Sequence, residues 1–338
     1  MTDIDIDPVD HPGLWRGAVS WEPVGRWRQP WRLPASMERR AYAPELFERA
    51  KAPAGVRMAM ISDARELTLE LDTGPEEPAP LDLLVDGELA RRVEVAVGTS
   101  RLALALPGRR AAIELWLPQY GQTRIAGVRL REASGAVQRA DPTPRRWVCY
   151  GSSITQGRGA PGPTGTWPAL VARARGWDLL CLGFGGQCHL DPVVADVLRD
   201  QPADLVSLCL GINVYGAATH NARTWRGRVA DFLARVRDGH PGTPIVVMSP
   251  IACPEREAVT NQVGVTLADL RNGVHQVVGD MSVDDPDLHL VDGTSVLGPS
   301  EADLLPDRLH PGPEGYRRMA TRIGVALDAT LTSVAGRP

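Results

Sequence analysis

The sequence predicts an α/β domain, with a parallel sheet covered on both faces by helices, preceded by an all-β sandwich of the jelly-roll kind. Three observations carry this reading. After Arg146, short apolar runs alternate with longer amphipathic ones, as strands and helices do in a parallel α/β unit. Before residue 130, apolar residues recur at every second position between turn signals, the mark of half-buried strands. A chain of 338 residues also exceeds what one core usually serves, so two domains are expected.

In chain order, residues 1–13 read as an acidic tail. It lacks the basic-then-apolar pattern of an export signal, and a cytoplasmic location is the expectation. The sandwich spans 14–130. Val56, Met58 and Met60 alternate, as do Leu67, Leu69 and Leu71, and Leu102, Leu104 and Leu106. The run from Leu81 to Val85 leads into Asp86-Gly87, a hairpin turn signal, and runs at 113–117 and 125–130 add two more strands. Trp15, Trp21, Trp27 and Trp31 crowd the start of this half, either as a sugar-stacking face or as packing under a sandwich edge. Residues 131–145, with Ser134-Gly135 and Asp141-Pro142-Thr143-Pro144, read as a linker. The second domain spans 146–332. Its strands are expected at 146–150, 179–182, 204–210, 244–248 and 288–291, and its helices at 166–175, 191–199, 222–238, 266–279 and 313–331. Pro192 and Pro313 fall in first helical turns, where proline is tolerated.

Bulk properties exclude several function classes. Hydrophobic residues make up 43% and charged residues 23%, as in ordinary globular chains, and the formal net charge is −4. That balance offers no basic footprint for nucleic acid or an anionic membrane, and no apolar run reaches a spanning length of roughly 18 residues. Five cysteines are too few for a disulfide scaffold, and Cys149, Cys181 and Cys209 fall inside expected strands. There is no CxxC and no His/Cys cluster with metal spacing, so neither metal nor cofactor is expected. Gly157-Arg158-Gly159-Ala160-Pro161-Gly162 fits a dinucleotide fingerprint only in letters. Pro161 and Pro163 oppose the required helix, and Asp178 precedes its strand instead of following it.

Chemistry is written in four blocks. Val148-Cys149-Tyr150-Gly151-Ser152-Ser153-Ile154-Thr155-Gln156-Gly157 reads as a buried strand delivering a hydroxyl to a sharp turn at its carboxyl end, where open α/β sheets bind ligands. Asp307-Arg308-Leu309-His310 supplies a carboxylate and an imidazole three residues apart, as a base and its orienting group require. Gly183-Phe184-Gly185-Gly186-Gln187 and Gly211-Ile212-Asn213 follow two further strands and offer a backbone N–H and a side-chain amide. Each residue also has a plain structural reading. Ser153 would cap a turn, Ser152 is its adjacent rival, Asp303 rivals Asp307, and Gly186 would serve a tight turn. Asn213 would satisfy loop backbone, and His189 competes with His310 for a place at the site.

These blocks, in this order over roughly 146–330, resemble the SGNH (GDSL-like) hydrolase superfamily of esterases and acylhydrolases. The resemblance implies a flavodoxin-like three-layer α/β/α catalytic domain, often preceded by a sandwich. It implies Ser153 as nucleophile, Asp307 and His310 as its partners, and Ser153, Gly186 and Asn213 as oxyanion donors. Trp167, Gln187, His189, Tyr215 and Trp225 are expected near the substrate pocket, although Trp167 and Trp225 equally suit packing of helices on the sheet. Two positions depart from the family pattern: Ser152 stands where the family has Asp, and Val214 where many members have Asp. The implied activity is hydrolysis of a small-molecule carboxylic ester, with a short acyl group on a polar or carbohydrate-like acceptor. Acyl transfer or thioester cleavage in a biosynthetic pathway is the alternative, and a non-catalytic carbohydrate binder a third.

Overall fold

The computed structural model describes residues 2–76, 78–134, 137–140 and 144–335. Twelve described strands precede the parallel sheet: β1 (Thr2–Ile6), β2 (Trp15–Arg16), β3 (Ser20–Val24), β4 (Trp27–Trp31), β5 (Arg57–Ser62), β6 (Glu66–Thr73), β7 (Leu81–Val85), β8 (Glu88–Val93), β9 (Gly98–Ala105), β10 (Ala111–Trp116), β11 (Thr123–Ala133) and β12 (Gln138–Arg139). They form two six-stranded antiparallel sheets, one ordered β3-β4-β11-β6-β9 with β1 beside β11, the other β12-β5-β10-β7-β8 with β2 beside β5. Period-two patterning explains the packing: Leu67, Leu69 and Leu71 of β6 are buried while the residues between them are only half so. Asp86 and Gly87 both take positive φ (51° and 83°), as a tight hairpin turn between β7 and β8 demands.

Three expectations about the first half need correction. The acidic tail is in part a strand: β1 pairs with β11, Ile6 is buried in the sandwich, and Asp5 forms an ion pair with Arg129. The expected linker begins inside β11 and includes β12, while Gly135 and Asp141 to Thr143 lie outside the described residues. Residues 31–50 follow the sandwich in sequence but not in packing. Trp31, Leu33, Leu46, Phe47 and Ala50 are buried against Tyr150, Leu182 and Phe184 of the second domain. The tryptophans divide accordingly. Trp15 meets Trp21 edge to face at 5.0 Å in the sandwich core, whereas Trp31 sits in the other core with its Nε1–H donated to Glu22. No shared stacking face results.

The second half follows its expected alternation. Five parallel strands, β13 (Arg146–Gly151), β14 (Asp178–Gly183), β15 (Leu205–Cys209), β16 (Ile245–Met248) and β17 (Leu288–Val291), lie in the order β14-β13-β15-β16-β17. Successive residues face opposite layers. Trp147, Cys149, Cys181 and Val246 pack under the helices Trp167–Arg175 and Pro313–Ala335. Val148, Tyr150, Leu182, Val206 and Val247 pack under Pro192–Asp200, Ala222–Gly239 and Leu267–Met281. The strand order reverses between β13 and β15, and the carboxyl ends there are where such sheets place their sites. Among the described residues no helix is long and apolar enough to cross a membrane.

The outer edge of β14 would expose a row of unpaired carbonyls, and two buried arginines from the first half fill it. Arg57 donates to Leu179 O at 3.1 Å and to the Asp178 carboxylate at 2.8 Å. Arg32, wholly buried, donates to the carbonyls of Cys181 (3.2 Å) and Gly183, and also to Ala52 O and Arg49 O (each 2.5 Å). Its ring-facing side lies over Phe184 at 4.7 Å. Burial pulls the Arg32 guanidinium down to about 10, so it stays cationic at neutral pH. Replacing it with an apolar chain would strand several buried carbonyls, each costing about 1–3 kcal/mol when left unpaired. Arg32→Met is therefore expected to lower the unfolding free energy by about 2–5 kcal/mol, read from the urea midpoint; an unchanged midpoint would contradict this role.

Candidate active site at the carboxyl ends of the parallel strands

At the end of β13 the chain turns directly into the short helix Ser153–Gln156. That helix rests on two strand ends so closely that only glycine fits beneath it. A Cβ on Gly151 would lie 2.2 Å from Thr155 Oγ1, and one on Gly183 2.3 Å from Gln156 N. Ser152, the rival hydroxyl, is buried and accepts the Ile154 N–H at 3.2 Å as the helix cap. Ser153 is left half-buried with its Oγ 2.8 Å from His310 Nε2.

His310 is in turn fixed by Asp307. Its Nδ1–H donates to Asp307 Oδ2 at 2.7 Å, which leaves Nε2 free to accept the serine hydroxyl proton. Asp307 Oδ1 accepts the backbone N–H groups of His310 (2.7 Å) and Leu309 (3.0 Å). Burial pushes the Asp307 carboxyl up, but those N–H groups and the ring outweigh it and hold the group at about 2. Asp303 is exposed and makes no such contact with the ring.

Gly186 and Asn213 line the same cleft as Ser153 and His310. Gly186 has φ of 75°, and a Cβ there would meet nothing within 4 Å, so its space opens onto the cleft. Asn213 Oδ1 accepts the Cys188 N–H at 3.0 Å, which orients the amide so that its NH₂ is the group left to donate. The Gly185 loop is tied from below: Gln156 Oε1 accepts the Gly185 N–H at 2.7 Å while its Nε2 donates to Gln119 O at 2.9 Å.

The cleft encloses about 860 Å³, and much of one wall comes from the sandwich half. Pro78, Ala79, Pro80, Gln119 and Tyr120 line it, and the Tyr120 hydroxyl donates to Ser153 O at 3.2 Å. Arg158 completes the rim. Sequence reasoning missed these residues. They lie in loops without periodicity, and the only available hint was the turn chemistry of Pro118 to Gly121.

None of the five expected pocket residues lines the cleft. Trp167 is fully buried 5.8 Å from Trp147, and Trp225 is buried with its Nε1–H donated to Leu270 O. Both serve helix-on-sheet packing. Tyr215 donates its hydroxyl to Val259 O, and Gln187 is half-buried outside the cleft lining. His189 bridges Gly186 O (3.0 Å) and Thr219 Oγ1 (3.2 Å), bracing the turn from behind. In the discounted glycine fingerprint, Gly157 ends the Ser153 helix with φ of 100°, and Asp178 is taken up by Arg57.

A five-stranded, doubly wound parallel sheet, with these groups gathered above its strand ends and a sandwich before it, defines an SGNH hydrolase fold. The chain belongs to the GDSL-like lipase/acylhydrolase family, whose profile matches residues 149–318. The profile of the SsfX3 N-terminal domain matches residues 14–125. Among solved structures, the salicylyl-acyltransferase SsfX3 from a tetracycline biosynthetic pathway is similar over 97% of this chain and 98% of its own, at 34% identity and a TM-score of 0.88. A Bacteroides ovatus protein designated a GDSL-like lipase covers 98% of both chains at 20% identity and TM-score 0.79. A family two carbohydrate esterase from Cellvibrio japonicus covers 98% of both at 14% and 0.66. The latter two are likenesses of fold. No curated protein sequence matches the chain.

Because Gln156 holds the Gly185 N–H and Gln119 O together, Gln156→Leu should free the Gly185–Gly186 turn. Amide hydrogen exchange at Gly185 is expected to speed up roughly tenfold or more, the equivalent of about 1.4 kcal/mol lost locally; unaltered exchange would refute the tether.

Proposed function

We propose that the chain forms an acyl-enzyme on Ser153 and passes the acyl group to a small-molecule hydroxyl or, failing that, to water. The observation that carries this is the continuous line Ser153 Oγ–His310 Nε2–His310 Nδ1–Asp307 Oδ2, at 2.8 and 2.7 Å, opening onto the cleft. Ser153 Oγ attacks the acyl carbonyl as its proton moves to Nε2, and the carboxylate of Asp307 stabilises the resulting imidazolium. The developing oxyanion is met by the backbone N–H groups of Ser153 and Gly186 and by the Asn213 amide. Collapse breaks the bond to the leaving group, which takes the proton from Nε2. A hydroxyl nucleophile then loses its proton to the same nitrogen, attacks the ester, and restores the serine.

Transfer is favoured over simple hydrolysis by the 34% identity to a salicylyl-acyltransferase along nearly the whole chain, sandwich included. The narrower expectation of a short acyl group on a carbohydrate-like acceptor is supported only by likenesses of fold. Product analysis with and without an added acceptor alcohol separates the two fates. An acyl-acceptor product supports transfer, and free acid alone supports hydrolysis.

Ser153→Ala should abolish both acylation and labelling by a serine-directed phosphonate, and a labelled variant would overturn the assignment. Asn213→Ala should cut turnover by about 10²–10³ with the fold kept by circular dichroism. The pH dependence follows from Asp307. Its folded-state pKa is depressed to about 2, so the carboxylate, and the order it gives the His310 loop, is present above the ordinary carboxylate range and lost only as pH falls through about 2. Protonation of Asp307 should therefore contribute nothing to the pH dependence of kcat/KM above about pH 4; an acid limb in that range that disappears in Asp307→Asn would contradict it.

A further inference from the structure

Arg158 stands at the rim of the cleft with its backbone fully committed and its side chain free. Its N–H donates to Ser153 O at 2.9 Å, and its carbonyl accepts the Tyr316 hydroxyl at 2.6 Å. Both neighbours, Gly157 and Gly159, have positive φ (100° and 85°), and a Cβ on Gly159 would lie 2.8 Å from Pro311 O. This loop is thus wedged against the segment that carries His310. The side chain is exposed, with its guanidinium 5.5 Å from the Tyr120 ring centre.

Among the described residues no carboxylate pairs with it. That distinguishes it from Arg49, which lines the same cleft and is held by Glu76 at 2.7 Å. A guanidinium carried on a wedged turn, close over an aromatic ring and without a counter-charge among the described residues is prepared for a planar oxyanion. Its place on the cleft that His310 also lines matters, because the imidazole would hand its proton to the departing atom there. We propose that Arg158 binds an oxyanion, a carboxylate or a phosphate, carried by the leaving group of the acyl donor. This rests on the acyl-enzyme reading and adds the chemical class of the donor.

The test compares 4-acetoxybenzoate and 4-acetoxyphenyl phosphate with the neutral methyl 4-acetoxybenzoate. The kcat/KM ratio of each anionic ester to the neutral one should fall about tenfold or more in Arg158→Gln and recover partly in Arg158→Lys, as expected for loss of a charge-assisted hydrogen bond. Arg158→Glu should instead favour 3-(trimethylammonio)phenyl acetate, a gain that a misfolded variant cannot produce. The larger of the two anionic ratios identifies carboxylate or phosphate as the natural group. In parallel, calorimetry on the Ser153→Ala protein should show binding of 4-hydroxybenzoate or phenyl phosphate, weakened about tenfold by adding Arg158→Gln. Ser153-dependent turnover with ratios that no Arg158 variant moves would overturn the inference and leave the acyl-enzyme reading standing. Arg158-dependent anion binding without any acylation of Ser153 would keep the anion site and overturn that reading instead.

Discussion

The edge of β14 is the constraint on which the two halves depend. A parallel sheet whose outermost strand has no strand hydrogen-bonded to its outer side must satisfy alternate outward carbonyls in some other way. Here Leu179, Cys181 and Gly183, spaced two apart, accept from Arg57, Arg32 and Arg32 in turn. A guanidinium suits this task because its several N–H groups fan out in one plane. Arg32 needs no acidic partner, since four carbonyls share its charge. The close fit extends to the backbone: a Cβ on Gly55 would lie 3.0 Å from Cys181 Cβ. The sandwich half is therefore bonded into the sheet instead of merely leaning on it.

That bonding reaches the site within three residues. Gly183, whose carbonyl takes Arg32, is the last residue of β14 and lies under the Ser153 helix. Phe184, beneath the Arg32 guanidinium, begins the loop that carries Gly185 and Gly186. Gln156 and Tyr120 add two polar ties between the sandwich loop and the serine turn. The serine's surroundings are thus assembled by groups from both halves, and the geometry that holds Ser153 opposite His310 is inseparable from the position of the first half.

Much of this was legible in the sequence because it is local. The strand leading to Gly151, the sharp turn after it and the Asp307-His310 spacing each occupy fewer than ten residues, and local pattern fixes local structure. The β1 strand was also visible, since Ile4 and Ile6 alternate with Asp3, Asp5 and Asp7, but the charge of the aspartates outweighed the period. What failed was assignment at long range. Apolar residues such as Leu46 and Phe47 do not state which core they enter, and they entered the second. Trp167 and Trp225 lie near the motif loops in sequence, yet large rings on helices that cover a sheet go inward. Tyr120, Gln119 and Arg158 carry no signal of their own because only the docking of the halves gives them a place at the cleft.

The same docking bears on why an acyl-enzyme of this kind would transfer its acyl group. Water reaches any open acyl-serine, so an acceptor succeeds only by being held at high effective concentration against the carbonyl. Holding requires a wall that does not yield. Pro78 and Pro80 stiffen their loop, Gln119 is tied through Gln156 to the Gly185 turn, and Tyr120 is bonded to the serine backbone itself. A wall built from these groups moves with Ser153, so an acceptor resting on it would keep its register to that hydroxyl. Separating the halves would leave the serine, imidazole and carboxylate on one domain and the acceptor's support on the other. Under the proposed transfer reading, competence for transfer, as distinct from acylation, would reside in the interface between the halves.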